Sequence, residues 1–294
     1  WLILTTKSLV RYKMVERLKS IEASLEQDKS SKGMTADGHP VPFLANIDHS
    51  TPLTELYAAD AEGVGLYRSE YLWMAYEREP TEEEQANAYT AAARSVPEGH
   101  TVTIRVFDLG GDKMTQDMAS HKEANPFLGN RSIRYLLRNR EAFRRQLRAI
   151  LRASAHGCVQ VMYPMIATVE ELRAANIELH SCMTELREKG VPFDKNIRRG
   201  VMIEVPAAAL IAEALAKNAD FFSIGTNDLI QYSLAVDRVN ETVARLYQPT
   251  HAGVLHLIDI SIKAAHRQGL KVAVCGEVAA DPYLAVLLIG MGID

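Results

Sequence analysis

Cysteine is scarce in this sequence. Three in 294 residues, an odd number, cannot build a disulfide framework and point to a reducing compartment, the cytoplasm. Long apolar runs are missing too. None nears the ~20 residues a membrane helix needs, and the opening Trp1-Leu2-Ile3-Leu4 is too short for a signal-peptide core. There is no basic excess: 33 Lys and Arg face 37 Asp and Glu, a net charge of −4. That balance argues against a dedicated nucleic-acid binder, which needs a basic stripe to displace counterions from phosphates. The nine histidines offer no pair at metal-ligand spacing, and no internal repeat or low-complexity stretch stands out. What remains, 47% hydrophobic and 24% charged residues, is ordinary globular composition, long enough for one large α/β domain or two ordinary ones.

Along the chain, Met14, Leu18, Ile21 and Leu25 recur at helical spacing, which predicts a linker helix over 14–29. From residue 37 apolar runs alternate with helical patterns. Strands are expected at 43–47, 64–67, 101–107, 159–163, 200–204, 221–224 and 270–274. Helices are expected from Thr51 to Ala61, after Thr81, from Ser132 to His156, from Thr168 to Lys189, over 207–217 and 243–268 with a break at Pro249, and over 282–289. Thr168 with Glu171 is a capping box, and Glu82-Glu83-Glu84 suits the dipole of a helix start. Seven strands in alternation with helices predict a parallel sheet with helical crossovers, doubly wound or closed as a barrel. The near-continuous apolar strands fit a sheet covered on both faces.

Chemistry-bearing residues fall at the carboxyl ends of these strands: Arg68 and Glu70, Arg105 and Asp108, Glu204, Asn227 and Asp228, Cys275 and Glu277. In a barrel those ends form one rim, where active sites are built. Arg68, Arg105, Arg131, Arg238 and Lys113 suit phosphate or carboxylate, so the rim is expected to be locally cationic despite the net charge. Glu204 and Asp228 are hard oxygen ligands suited to Mg²⁺. A cationic clamp with a metal is equipment for phosphoryl chemistry. Cys158 and Cys182 read as small buried hydrophobes, and Met162, Met165 and Met202 as core or rim filler.

Gly65-Leu66-Tyr67-Arg68-Ser69-Glu70, Asp108-Leu109-Gly110-Gly111-Asp112-Lys113 and Asn125-Pro126-Phe127-Leu128-Gly129 resemble the Enzyme I family, the phosphoenolpyruvate–protein phosphotransferases of the bacterial sugar phosphotransferase system. Gly225-Thr226-Asn227-Asp228-Leu229, Ala235-Val236-Asp237-Arg238 and Cys275-Gly276-Glu277 extend the resemblance over residues 37 to 294. Ser69 stands where Thr is usual, and Trp73 in a normally Phe-rich segment. The resemblance implies a dimeric TIM-type (β/α)8 barrel, truncated within or before its eighth β/α unit. It implies that Arg68, Arg105 and Arg238 hold phosphoenolpyruvate with support from Lys113 and Arg131, and that Asn227 touches the substrate. Glu204 and Asp228 would bind Mg²⁺, and Cys275 would protonate the enolate to give pyruvate. The phosphoryl acceptor is then a histidine in an N-terminal domain not present in this sequence, which passes the group to the phosphocarrier HPr. Residues 1–36 would be the linker helix and lead-in, and 37–294 the phosphoenolpyruvate-binding barrel. Three other readings stand beside this one: the barrel of a phosphoenolpyruvate synthase or pyruvate phosphate dikinase, a lyase of the wider superfamily, and a non-catalytic binding or dimerisation fragment. Cys-Gly-Glu at 275–277 favours Enzyme I over the dikinases.

Overall fold

The computed structural model describes residues 33–52, 61–110 and 123–294. The expected linker helix at 14–29, most of the expected helix from Thr51, and Lys113 lie outside these residues. Seven strands follow one another: β1 (Ala45–Ile47), β2 (Gly63–Arg68), β3 (Thr101–Arg105), β4 (Cys158–Tyr163), β5 (Arg198–Ile203), β6 (Phe221–Gly225) and β7 (Lys271–Cys275). All neighbours pair in parallel and in sequence order, from β1 to β7. That order is what helical crossovers of constant hand produce when the sheet curls without reversing. It decides between the two expected sheet types in favour of the barrel type.

Helices fill the connections: α1 (Glu70–Tyr76), α2 (Glu82–Ser95), α3 (Ile133–Arg138), α4 (Arg140–Ala153), α5 (Val169–Glu188), α6 (Pro206–Leu210), α7 (Ala212–Ala216), α8 (Thr226–Leu234), α9 (Ala252–Arg267), α10 (Glu277–Ala280) and α11 (Pro282–Gly290). Both expected starts are built as capping boxes. Thr81 accepts the Glu84 N–H while Glu84 accepts the Thr81 N–H, and Thr168 and Glu171 do the same for α5. The single helix expected from Ser132 to His156 is divided at Asn139, whose side-chain amide takes the Tyr135 carbonyl at 2.9 Å and competes with the helix ladder.

The main core lies between the sheet and its helices, with residues such as Ile104, Val161, Val201, Phe222 and Leu147 fully buried. A second, smaller cluster lies inside the curl: Leu66, Met162, Met202, Phe221 and Cys275. Phe221 reaches that interior because Gly200 faces it on β5, where an added Cβ would come within 2.7 Å of the ring's Cε1. The curl thus has a packed floor beneath its carboxyl-end rim. Cys182 is buried as expected, whereas Cys158 is exposed at the first position of β4, where the strand has not yet entered the core.

α4 carries its basic residues on a face already occupied. Arg148 spans Glu82 on α2 and Glu185 on α5, at 2.7 and 3.4 Å, and Arg152 meets Glu82 and Glu83. Arg144 pairs with Glu185 and Arg145 with Glu79. This lattice stitches three neighbouring helices and neutralises what reads as a basic helix. Arg148→Ala, at its centre, is expected to lower stability by about 1 kcal/mol, through lost packing as well as charge. Denaturant titration should show the loss shrinking at 1 M salt; a loss independent of salt would assign the effect to packing alone.

Candidate active site

The carboxyl ends of the strands close around a cavity of about 410 Å³ lined by Arg68, Arg105, Arg131, Glu204, Asn227, Asp228, Arg238 and Cys275. Eight of the nine candidate site residues therefore meet in one place; the ninth, Lys113, lies outside the described residues. A larger cavity of about 480 Å³ lies around Lys195, Arg198 and Asp220, at the opposite ends of β5 and β6. Arginines and an acid line that cavity as well, but no cysteine does.

Arg105 ends β3 and is almost wholly buried. It pairs with Glu70, the first residue of α1, and with Asp108 at 3.4 Å. Burial works against its charge, but Glu70, Asp108 and Glu204 more than reverse this and hold its pKa above the ordinary value. Behind it, the Ser69 hydroxyl donates to the Arg105 carbonyl at 2.6 Å. Gln146 on α4 donates to Ser69 and Tyr89 and accepts the Phe107 N–H, so three elements fix the segment that carries Arg105. Arg131 is equally buried. It reaches Asp108 at 3.1 Å, Asp228 at 3.4 Å and the Tyr232 hydroxyl at 3.0 Å. The residue after it, Ser132, has φ +56°, a left-handed conformation held by its N–H on the Leu109 carbonyl.

Arg238 meets Asp228 at 2.9 Å, and Arg68 meets Asp48 at 2.8 Å while lying over the Tyr71 ring. The Nε atoms of Arg68, Arg105 and Arg131 are buried with no acceptor among the described residues. Donors desolvated without partners are costly. Asn227 uses its side-chain oxygen to accept the Glu277 N–H at 3.0 Å, tying α8 to the turn after Cys275.

The rim expected to be cationic also carries acids. Among the described residues, the four arginines lining the cavity face four carboxylates, Asp108, Glu204, Asp228 and Glu277. The sequence showed the arginines by motif, but their counter-charges Glu70, Asp108 and Asp48 become meaningful only once the strand ends converge. Tyr232, one helical turn after Asp228, was missed for the same reason.

Glu204, at the end of β5, is buried and accepts the Met165 N–H at 2.7 Å. Burial first, and then the charges of Asp228 and Asp108, push its carboxyl up to about 8. Two acids forced together in this way could hold a divalent cation between them. No group of three or more His, Cys, Asp or Glu suited to a metal is found among the described residues, so solvent or ligand oxygens would have to complete the shell. The raised value has a consequence for stability. The neutral form is favoured by the fold, so its contribution is full below the ordinary value of 4.5 and is lost as pH rises through about 8. Without divalent cations, the melting temperature is expected to fall between pH 5 and pH 8.5, and Glu204→Gln should remove that part of the fall. Parallel pH profiles for the two proteins would refute this assignment. Cys275, at the end of β7, is held nearly out of solvent, and burial pushes its thiol up to about 11.

Comparison with known proteins gives the family. Over 95% of this chain, a phosphoenolpyruvate-protein phosphotransferase of Haemophilus influenzae is 47% identical, and the match covers 50% of that protein. A protein of the same name from Priestia megaterium is 46% identical over 90% of this chain and 46% of its own length. The chain thus spans about half the length of the curated relatives it matches. Among solved structures, malate synthase of Haloferax volcanii, in a magnesium and glyoxylate complex, superposes with a TM-score of 0.51 at 11% identity. That match covers 86% of this chain and 68% of the other and is a likeness of fold alone. Residues 22–294 match the family described as PEP-utilising enzyme, PEP-binding domain, and the chain belongs to that family.

Proposed function

We propose that this chain is the substrate-binding part of a phosphoenolpyruvate–protein phosphotransferase, with residues 37–294 as the barrel and 1–36 as lead-in and linker. The observation that carries this reading is the convergence of four arginines, two confined acids and a buried thiol on one cavity at the carboxyl ends of the strands. Phosphoenolpyruvate brings a phosphate and a carboxylate. Arg68, Arg105 and Arg238 hold these two groups, Arg131 and Lys113 support them, and the Asn227 amide orients the substrate. Fork-shaped donors suit both anions. Glu204 and Asp228 would hold Mg²⁺, which when bound offsets the negative charge gathered on the transferring group.

The P–O bond to the enol oxygen breaks, and its electron pair stays on that oxygen. As the carbonyl forms, C3 takes the proton of the Cys275 thiol and pyruvate results. The phosphoryl group goes to a histidine outside this chain and from there to HPr. In this reading the protein is a cytoplasmic homodimer. None of the described helices is long and apolar enough to cross a membrane. Calorimetric titration of the chain with phosphoenolpyruvate in the presence of Mg²⁺ tests the proposal: saturable binding that vanishes without the metal is expected, and no heat of binding would overturn it.

A further inference from the structure

The strand β6 reads Phe221-Phe222-Ser223-Ile224-Gly225, and all five residues are buried. One hydroxyl in such a run is costly unless it is bonded. Ser223 is 3% exposed, and its Oγ donates at 3.3 Å to the sulfur of Cys275, which is 5% exposed. No other side-chain hydrogen bond of Ser223 is found among the described residues. The parallel register explains the meeting. Gly225 is the partner of Cys275 and Ser223 that of Ala273, so Ser223 and Cys275 point to the same side of the sheet, two residues apart on adjacent strands. The thiol in turn lies 3.5 Å from the Ile224 carbonyl, to which it donates. Sulfur is therefore held from two sides, by one donor and one acceptor.

We propose that Ser223 is a positioning residue for proton transfer to the substrate: its hydroxyl fixes the Cys275 sulfur and stabilises the thiolate left behind when the proton departs. This rests on the reading of Cys275 as the proton donor. The physical reason is differential. A neutral thiol is a weak acceptor, whereas a thiolate accepts a charge-assisted hydrogen bond, so the contact strengthens as the reaction proceeds. Of the other charged groups around the sulfur, Glu204 and Asp228 oppose a negative charge there and Arg105 favours it. None of the three is hydrogen-bonded to it among the described residues; Ser223 is.

The half-reaction at carbon can be followed without the histidine domain. In D₂O with Mg²⁺, bound pyruvate loses a C3 proton to the Cys275 thiolate as its electron pair moves to the carbonyl oxygen; the thiol proton exchanges for a deuteron from solvent, and that deuteron returns to C3 as the carbonyl re-forms, leaving the thiolate again. Exchange of the pyruvate methyl group is read by NMR. Cys275→Ala is expected to abolish it. Ser223→Ala removes only an oxygen atom and is expected to lower the maximal exchange rate about ten- to a hundredfold, the usual worth of a hydrogen bond to a charged group. The pyruvate concentration at half-saturation should stay within about twofold of the wild type, and Ser223→Thr should restore most of the rate. An unchanged rate in Ser223→Ala, or a loss that Ser223→Thr does not restore, would overturn the proposal while leaving Cys275 in its role. Undiminished exchange in Cys275→Ala would instead overturn the reading beneath it.

Discussion

Replacing Arg105 with alanine is expected to weaken phosphoenolpyruvate binding by two to three orders of magnitude, on the order of what truncating a buried charge pair costs a complex. Arg105 is the side chain on which site and fold depend together. Its guanidinium is buried between Glu70, Asp108 and the sulfur of Met202, and its Nε has no acceptor among the described residues. Alanine would remove one counter-charge from each of Glu70 and Asp108 inside the protein, a change worth about 3–5 kcal/mol. A drop in melting temperature is therefore part of the same expectation. Arg105→Lys separates the two effects, because it keeps the charge and loses the fork. It should fold with nearly unchanged stability and still bind about tenfold more weakly. Calorimetry with Mg²⁺ present is the measurement, and binding by Arg105→Ala at wild-type strength would refute the assignment.

Gly110→Ala should do comparable damage from outside the list of chemical groups. Gly110 has φ +109°, and a Cβ built on it would press into the Cβ of Arg131 and lie 2.9 Å from its Cα. Neither atom can give way: Arg131 is buried, and Ser132 after it is already held in a strained conformation by Leu109. A loss of about 2–4 kcal/mol is expected from the backbone conformation and the clash together, with weaker phosphoenolpyruvate binding as Arg131 is displaced. Gly99→Ala is the matched control. It shares a positive φ of +87° but has nothing within 4 Å of the added atom, so it should cost only about 1 kcal/mol and leave binding intact. Equal melting temperatures and affinities for the two variants would remove Arg131 from the explanation.

Much of this was legible before any coordinates, for reasons tied to particular residues. Strands such as Val159–Tyr163 and Phe221–Ile224 are apolar but for one polar residue each, Gln160 and Ser223, because both of their faces are covered, and that near-continuity marks a parallel sheet. The capping boxes at Thr81 and Thr168 are local chemistry and appear where they were expected. Arg68, Arg105, Glu204, Asn227, Asp228 and Cys275 were placed by being the polar residues at the ends of those strands. Less visible were the short helices α1 and α8, whose starts at Ser69 and Gly225 have no side-chain cap. The acids that pair with the rim arginines were less visible because Asp108 and Asp228 each serve two arginines, over 23 and 97 residues for Arg131. Such sharing has no sequence period.

The strict order of the strands has one more consequence, for how the chain assembles. Every strand pairs only with its predecessor and successor, so six of the strand contacts close loops that each span one crossover, and none requires the two ends of the described sheet to find each other first. The sheet can therefore grow by accretion, one β/α unit after another, in the manner of a repeat array. The rim cannot. Arg105 on β3, Glu204 after β5, Asp228 after β6 and Cys275 on β7 come from four separate increments of that growth. Binding competence is consequently a property of the last stages of assembly, and partly grown intermediates would carry the fold without the site.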